Sequence, residues 1–294
     1  MTVKPPNNFL GIPKPFSSYA EAKVAVLPVP FEQTVSYGAG TAKGPQAIIT
    51  ASAQVELYDE ELGCEPYECG VATLDPLRME GLGTSAMAKV VESAVAKVLA
   101  DGKLPLILGG EHSITPPIVK AVADTHGPIT VVQFDAHADL RQEYEGDPMS
   151  HACAMARVRD ICLAVQIGIR NLSKEEAAWV KRDRLPLFSA HEMCASSHAG
   201  WMTDAMRAIE TENVYITIDL DGFDSSLMPA TGTPEPGGLS WYQVLSFVRK
   251  VCETKRVVGF DIVELAPITD LHACDFLAAK LAYKCIGYWA QARR

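Results

Sequence analysis

Two short motifs in the sequence combine carboxylates and imidazoles at a spacing that suits the binding of divalent cations. The first is Asp135-x-His137-x-Asp139, and the second is Asp219-x-Asp221. In an extended backbone, alternate residues point to the same side, so we expect each motif to direct its side chains at one place. Carboxylate oxygens together with a few imidazole nitrogens suit Mn²⁺. These motifs therefore predict a metal centre.

His112 adds another imidazole to this set. The candidate ligands are then four carboxylates and two imidazoles: Asp135, Asp139, Asp219, Asp221, His112 and His137. So many carboxylates cannot stay buried and unpaired, because each needs a cation or a proton. Two divalent cations would neutralise the four aspartates. A pair of such cations about 4 Å apart lowers the pKa of a shared water molecule and directs it at an electrophilic carbon.

Each of these features has a simpler structural interpretation when it is taken alone. An Asp-x-Asp motif after a strand is usually a solvated loop or a helix cap. A single histidine such as His112 is usually a hydrogen-bonded core residue. An Asp-x-His-x-Asp motif at the end of a buried strand is rarer. The prediction of a metal centre depends on all three features occurring together.

Two further residues are candidates for a role in catalysis. His151 lies in the segment 149–155, whose pattern predicts a loop that enters a helix. Glu264 follows a predicted strand and lies between Val263 and Leu265, so solvent is not its obvious partner. A cationic ligand and an internal arginine are equally natural partners for its carboxylate.

The elements that must position these residues are predicted by the hydrophobic pattern. Short apolar runs alternate with helical patterns along the chain, which predicts an α/β fold with a mostly parallel sheet covered by helices. The predicted strands are residues 23–29, 104–108, 129–134, 164–169, 185–188, 214–218 and 256–262. Several are continuously apolar, as expected of strands buried on both faces. Four of them end close to the candidate residues, and ligands bind beyond the carboxyl ends of parallel strands.

The clearest helical pattern covers residues 84–100, where apolar residues recur with helical period. We expect Thr84 to cap the start of this helix and Gly102 to follow its end. Residues 240–253 and 271–290 show similar patterns. The loops 31–44 and 225–238 are rich in Gly, Pro, Ser and Thr and are long for a compact domain. Long ordered loops often carry function.

Composition and charge restrict the function classes. The chain has 294 residues with no repeat, low-complexity segment or linker, so we expect a single domain over residues 1–294. The net charge of −10 argues against nucleic-acid binding and is compatible with a small cationic substrate. No apolar run reaches the roughly 18 residues of a membrane span, and no continuous apolar region follows the first residues. We therefore expect no signal peptide, no membrane association and a cytoplasmic location.

The eight cysteines contain no Cys-x-x-Cys pair. A structural zinc site would show cysteines clustered at short spacing, so the sequence does not favour one. We expect reduced thiols, most of them in the core.

The sequence resembles the ureohydrolase family, which includes arginases and agmatinases. The segments that carry this resemblance are 109–113, 134–139, 166–170, 219–224, 229–238 and 261–264. The similarity extends over about residues 23 to 290, which is almost the whole chain. It implies a three-layer α/β/α fold around a mostly parallel sheet of about eight strands. It also implies assembly into homo-oligomers, as trimers or hexamers.

The resemblance implies two Mn²⁺ ions per subunit and a role for each candidate residue. The implied metal ligands fall into three pairs: His112 with Asp139 at one ion, His137 with Asp221 at the other, and Asp135 with Asp219 bridging the two. His151 would be the active-site histidine, either as a proton shuttle or as a hydrogen-bond partner of the substrate. Glu264 would pair with a guanidinium group, and Thr233 would line the same pocket. Asp139 or His151 would protonate the leaving amine.

Within this family, the segment 139–153 is most similar to bacterial and archaeal agmatinases. It lacks the Asn- and Ser-containing loop with which arginases hold the α-carboxylate and amine of their substrate. The reaction implied is the hydrolysis of agmatine to putrescine and urea. Aminopropyl-agmatine, guanidinobutyrate and arginine stay open as substrates, because this loop differs among subfamilies.

Two alternatives belong to other functional classes. A deacetylase-like amide hydrolase with one zinc ion would use the same fold, but it needs only Asp-x-His and one further Asp. His112 and Asp221 would then be superfluous. A non-catalytic regulator would retain the fold, but such proteins usually lose metal ligands, and all the candidates are present here.

Overall fold

A computed structural model describes residues 6–195 and 200–293, without the side chains of residues 194 and 195. Its strands form one eight-stranded sheet, and every pairing in that sheet is parallel. In chain order the strands are β1 (Val24–Val29), β2 (Val71–Thr73), β3 (Leu104–Gly109), β4 (Ile129–Phe134), β5 (Leu163–Ile169), β6 (Leu187–Ser189), β7 (Asn213–Asp219) and β8 (Arg256–Val263). Their spatial order is β2-β1-β3-β8-β7-β4-β5-β6. The predicted parallel sheet is confirmed.

All seven predicted strands are present, and the largest shift is at β6, which begins at Leu187 rather than at residue 185. The edge strand β2 was not predicted. It has only three residues, which is too short to show a periodic pattern.

Helices cover both faces of the sheet. In chain order those of the described residues are α1 (Gly44–Ser52), α2 (Thr84–Ala100), α3 (Thr115–His126), α4 (Ala154–Arg159), α5 (Lys174–Asp183), α6 (Ala190–Ala195), α7 (Trp201–Ala208), α8 (Trp241–Thr254) and α9 (His272–Gln291). The three predicted helices correspond to α2, α8 and α9. None of the described helices is both long enough and apolar enough to cross a bilayer.

The predicted capping role of Thr84 is wrong. Gly83 occupies the N-cap position of α2, and no side chain caps the helix. The Thr84 hydroxyl instead donates to Asp147 Oδ2 over 2.9 Å. Thr84 therefore anchors the loop that leads to His151 rather than the end of its own helix.

Buried apolar side chains form two clusters, one on each face of the sheet. Leu106 and Phe260 belong to the cluster beneath α1, α7, α8 and α9. Ile107 and Tyr215 belong to the cluster beneath α2, α3 and α4. Successive strand residues point to opposite faces, so a strand covered on both faces is mostly apolar along its length. This confirms the three-layer α/β/α architecture.

No disulfide joins the cysteine side chains that the structure describes, and Cys153, Cys252, Cys274 and Cys285 are buried. The side chain of Cys194 lies outside the described residues.

The strand order explains how distant residues meet. Strands β3, β8, β7 and β4 are consecutive neighbours in the centre of the sheet. Their carboxyl ends lead directly to His112, Glu264, Asp219 and Asp135, respectively. Because the strands are parallel, these four ends lie at the same edge.

Candidate active site

His112 lies at the centre of a cluster of carboxylates. Its Nδ1 atom is 3.1 Å from Asp135 Oδ2, 3.0 Å from Asp139 Oδ2 and 3.5 Å from Asp219 Oδ2. All four side chains are buried. His112, Asp135 and Asp219 bring their ligand atoms close enough together to hold one metal ion.

A second cluster surrounds His137. Its Nδ1 atom is 2.9 Å from Asp221 Oδ2 and 3.6 Å from Asp135 Oδ1. These three residues form a second group that could hold a metal ion. Asp135 thus presents one carboxylate oxygen to each histidine, which is the arrangement required of a carboxylate that bridges two cations.

The donor atoms of His112 fit a metal better than a hydrogen bond. Nδ1 is buried and has no hydrogen-bond partner, although three carboxylate oxygens surround it. Nε2 lies 3.0 Å from Thr217 Oγ1, and that hydroxyl donates its proton to Asp261 Oδ1 over 2.6 Å. The Thr217 oxygen must therefore accept the Nε2 proton. Burial lowers the pKa of His112, but Asp135 and Asp139 together raise it well above its usual value, so Nδ1 also holds a proton until a cation displaces it. The neutral ring then has its lone pair on Nδ1. This tautomer is the one that binds a cation through Nδ1.

The backbone around the aspartates differs from the extended conformation predicted. Asp139 has a φ of +51°, in the left-handed region. Asp221 lies in the 3-10 turn Leu220–Gly222 rather than in an extended segment. The turn is held by side-chain oxygens: Asp219 Oδ1 accepts from Asp221 N, and Asp221 Oδ1 accepts from Ala136 N. The aspartates converge because of these turns, and the expectation of a common extended geometry was wrong.

The cluster retains protons when no cation is bound. Burial and then the charge of Asp135 raise the pKa of Asp139 to about 6. Burial and then the charge of Asp221 raise the pKa of Asp219 well above its usual value. Burial lowers the pKa of His137, but the charges and hydrogen bonds of Asp221 and Asp135 together outweigh it and raise that pKa to about 12. The carboxylates cannot all be charged without positive charge among them.

Glu264 lies next to these clusters, at the end of β8. Its Oε1 accepts the backbone N–H of His112 over 2.7 Å, and its own N–H donates to Gly110 O over 2.8 Å. Burial and then the charge of Glu111 raise the pKa of Glu264 well above its usual value. Among the described residues no arginine or lysine forms a salt bridge with Glu264.

His151 begins a short 3-10 turn that leads into α4, as its sequence context predicted. Thr34 Oγ1 is 3.0 Å from its Nδ1, and Ser36 Oγ is 3.0 Å from its Nε2. The ring of Tyr144 meets the imidazole edge-on, with centroids 5.9 Å apart. Burial lowers the pKa of His151, so the imidazole is neutral near neutral pH.

One pocket opens onto all of these groups except Asp135. Its lining is His112, His137, Asp139, His151, Asp219, Asp221, Thr233 and Glu264, with Val35, Ser36, Tyr37 and Gly232. A second cavity shares Ser36, His137, Asp139, His151 and Thr233 with the first, and continues along Ala138, Arg141, Tyr144, Ala152, Asn171, Leu172 and Glu176. A small substrate bound at the aspartates could therefore extend a tail into the second cavity.

Arg170 holds the loops around the site, although the sequence suggested no role for it. Its guanidinium donates to the carbonyl oxygens of six residues: Gly168, Asp221, Gly222, Phe223, Glu235 and Pro236. These carbonyls belong mainly to the turn that carries Asp221 and to the loop 225–238. The only sequence signal was its place in the segment 166–170, which carries part of the family resemblance.

Replacing Arg170 with lysine should lower the free energy of unfolding by at least about 2 kcal/mol. The lysine ammonium cannot match the planar set of N–H donors of a guanidinium, so several carbonyl oxygens lose their donor. Urea-induced unfolding measures this change. Arg207 is the matched control, because it is exposed and its one ion pair with a described residue is with Asp204. Arg207→Lys should change stability by less than about 0.5 kcal/mol. Equal effects of the two substitutions would contradict the role assigned to Arg170.

Comparison with known proteins places this geometry in a family. Residues 22–287 match the model of the Arginase family. An N(1)-aminopropylagmatine ureohydrolase of Synechocystis sp. is 43% identical, over 98% of this chain and 98% of that protein. An agmatinase of Bacillus anthracis is 33% identical, over 87% of this chain and 88% of that protein.

A solved structure is also similar. The agmatine ureohydrolase of Thermoplasma volcanium superposes with a TM-score of 0.85 and 33% identity, covering 94% of this chain and 93% of that one. Identity at this level over nearly the whole chain, together with the matching family model, is enough to assign membership. This protein is a hydrolase that belongs to the arginase family.

Proposed function

We propose that this chain is a two-manganese ureohydrolase that releases urea from N1-aminopropylagmatine. The observation that carries the proposal is the buried carboxylate of Glu264, which lines the same pocket as the aspartates and histidines. It forms no salt bridge with a lysine or arginine of the described residues. A guanidinium group would supply the missing positive charge through charge-assisted hydrogen bonds. Its carbon would then lie beside the aspartate cluster.

The proposed metal ligands are His112, Asp135, His137, Asp139, Asp219 and Asp221. Two overlapping groups of these side chains support two ions better than the single zinc of a deacetylase-like enzyme. Oxygen-rich donors with two imidazoles favour Mn²⁺. When bound, the two cations would supply an acidified water that attacks the guanidinium carbon.

The residues of the chain would bind, orient and transfer protons. Glu264 would fix the guanidinium, and its own position is fixed by the backbone N–H of His112. His151 lines the pocket with a neutral imidazole, which can accept a proton or donate one after accepting it. Either His151 or Asp139 would protonate the leaving amine. Thr233 would line the wall that the two cavities share.

The choice among the candidate substrates depends on the part of the molecule that extends beyond the guanidinium group. Aminopropylagmatine is longer than agmatine by an aminopropyl group, and the second cavity offers room for it. The relative at 43% identity is named for this substrate. Agmatine is the second candidate, favoured by the resemblance of the segment 139–153 and by the agmatinase at 33% identity. Arg141 also lines the second cavity, so a carboxylate-bearing guanidine belongs in the test.

A urea-release panel tests the proposal. The Mn²⁺-loaded chain is assayed with aminopropylagmatine, agmatine, guanidinobutyrate and arginine. We expect the highest kcat/KM for aminopropylagmatine, by at least about tenfold over agmatine, because extra apolar contacts of a bound tail contribute about 1–3 kcal/mol. A preference for agmatine would select the second candidate. Arginine as the best substrate would overturn both.

Metal affinity should rise steeply with pH. In the metal-free protein Asp139, Asp219 and His137 have raised pKa values, so protons occupy the cluster at neutral pH. A cation must displace these protons, so binding weakens as the pH falls and strengthens as it rises. Titration calorimetry at pH 6, 7 and 8, in buffers of different ionisation enthalpy, measures the protons released. Binding of Mn²⁺ without proton release would contradict the assignment of these ligands.

We also propose that residues 1–294 form one domain, that the protein acts in the cytoplasm, and that it assembles into trimers or hexamers. The proposed assembly is the one that the family resemblance implies, and the proposed location is the expectation drawn from the sequence. Light scattering coupled to size exclusion measures the oligomeric state.

A further inference from the structure

Thr34 lies between a buried carboxylate and the active-site histidine. Its hydroxyl donates to Glu111 Oε1 over 2.8 Å. The same oxygen is 3.0 Å from His151 Nδ1 and accepts the backbone N–H of His151 over 3.0 Å. One hydroxyl group therefore connects the loop 31–44, the segment after β3 and the turn that precedes α4.

Both carboxylate oxygens of Glu111 accept hydrogen bonds. Oε2 accepts the backbone N–H groups of Gln33 and Thr34, over 2.6 Å and 2.7 Å. Oε1 accepts the hydroxyls of Thr34 and Ser113, over 2.8 Å and 2.6 Å. The carboxylate is fully buried, so it needs all of these donors. The proton of the Thr34 hydroxyl is consequently committed to Glu111.

The donors and lone pairs available at the Thr34 hydroxyl then determine the tautomer of the His151 imidazole. A hydroxyl has one proton to donate and two lone pairs to accept with. The Thr34 proton goes to Glu111 and one lone pair takes the His151 backbone N–H, so the remaining lone pair meets Nδ1 favourably only when Nδ1 carries a proton. Ser150 Oγ is the more distant neighbour of Nδ1, at 3.3 Å, and can accept from the same proton. A neutral His151 therefore carries its proton on Nδ1 and a free lone pair on Nε2. Nε2 lies 3.0 Å from Ser36 Oγ, whose hydroxyl lines the pocket and can donate to it.

We propose that Thr34 is a positioning residue for the reaction: held by Glu111, it fixes His151 as the Nδ1–H tautomer and directs Nε2 into the pocket. The inference rests on the proposed function, in which His151 transfers a proton. A proton can join and leave at Nε2 while the bond from Nδ1 to Thr34 stays intact. Proton transfer then requires no rotation of the ring.

The tautomer is measured directly by ¹⁵N NMR of the imidazole nitrogens. The full-length chain is loaded with diamagnetic Zn²⁺, and the His151 signals are identified by their loss in His151→Asn. We expect a protonated Nδ1 and an unprotonated Nε2 in the wild type and in Thr34→Ser. Thr34→Val, which has the same shape without the hydroxyl, should give a mixture of tautomers. The proposal would be overturned if His151 of the wild type were protonated at Nε2, or if its tautomer were unchanged in Thr34→Val.

Kinetics of the Mn²⁺-loaded enzyme provide the second measurement. Thr34→Val should lower kcat for urea release at least about tenfold, with a smaller change in KM, because proton transfer and not substrate binding is impaired. Thr34→Ser should recover most of that loss. Thr130→Val is the matched control, since Thr130 lies near the amino end of β4, away from the site, and its hydroxyl bonds to that of Thr211 over 2.9 Å. The Mn²⁺ content of each variant is measured alongside.

The two measurements separate the possible failures. An equal loss of kcat in Thr34→Val and Thr34→Ser would overturn the proposal, because the serine retains the hydroxyl. A wild-type chain that releases urea from no guanidine would overturn the proposed function, while the NMR measurement would still decide the tautomer of His151.

Discussion

Replacing Asp135 with asparagine should abolish binding of both metal ions and lower kcat/KM for urea release by at least about a thousandfold. Asp135 is fully buried and presents Oδ2 to His112 and Oδ1 to His137. Its oxygens also accept from His137 N and from Gln133 Nε2, each over 2.6 Å. Asparagine has one acceptor oxygen, so its NH₂ group must face one of these donors. The substitution removes a shared ligand charge and leaves a buried donor unpaired.

Metal content after extensive dialysis and the rate of urea release measure this prediction. Asp124→Asn is the matched control, because Asp124 is exposed and pairs with Lys120 on the surface of α3. It should keep full metal content and full activity. If Asp135→Asn kept both as well, the two-metal assignment would be wrong.

Replacing Glu264 with glutamine should lower kcat/KM by roughly a hundredfold to a thousandfold without loss of metal. Glutamine keeps an oxygen that can accept the backbone N–H of His112, so the local structure is retained. It carries no charge to offset a buried guanidinium, and loss of one partner from a buried ion pair costs about 3–5 kcal/mol. The effect should be large because Glu264 has no other cationic partner among the described residues.

The decisive readout for Glu264 is the combination of kcat/KM and metal content. Glu253→Gln is the matched control, since Glu253 is exposed and pairs with Arg249. It should leave both quantities unchanged. A Glu264→Gln enzyme that lost its Mn²⁺ would indicate that Glu264 mainly supports His112, and the guanidinium assignment would then be rejected.

The fold was largely predictable because its strands are buried on both faces. Residues 104–108 form an uninterrupted apolar run, and the strand there begins at the predicted residue. Residues 129–134 are mostly apolar, and the strand there matches the prediction at both ends. Strand β2 and the start of β6 lie towards the edges of the sheet, where short or half-buried segments carry a weaker pattern. The cap of α2 was mispredicted because Thr84 bonds to Asp147, which is distant in sequence.

The sequence by itself determined which residue types stand at the ends of the central strands, and this predicted a metal centre through Asp135, His137 and Asp219. The hydrophobic pattern of a segment indicates its burial and its periodicity, and both depend on residues that are neighbours in the chain. It could not show that β3, β8, β7 and β4 are consecutive in the sheet, because strand order depends on pairing between distant segments.

Only the tertiary structure decided how the side chains converge and what supports them. Asp139 reaches the cluster from a left-handed backbone conformation rather than from an extended one. Thr34 meets His151 although 117 positions separate them in sequence. Each such contact involves groups that have many possible partners when the sequence alone is known. The fold selects one partner, because a buried donor or acceptor must be satisfied by whatever the packing brings within reach.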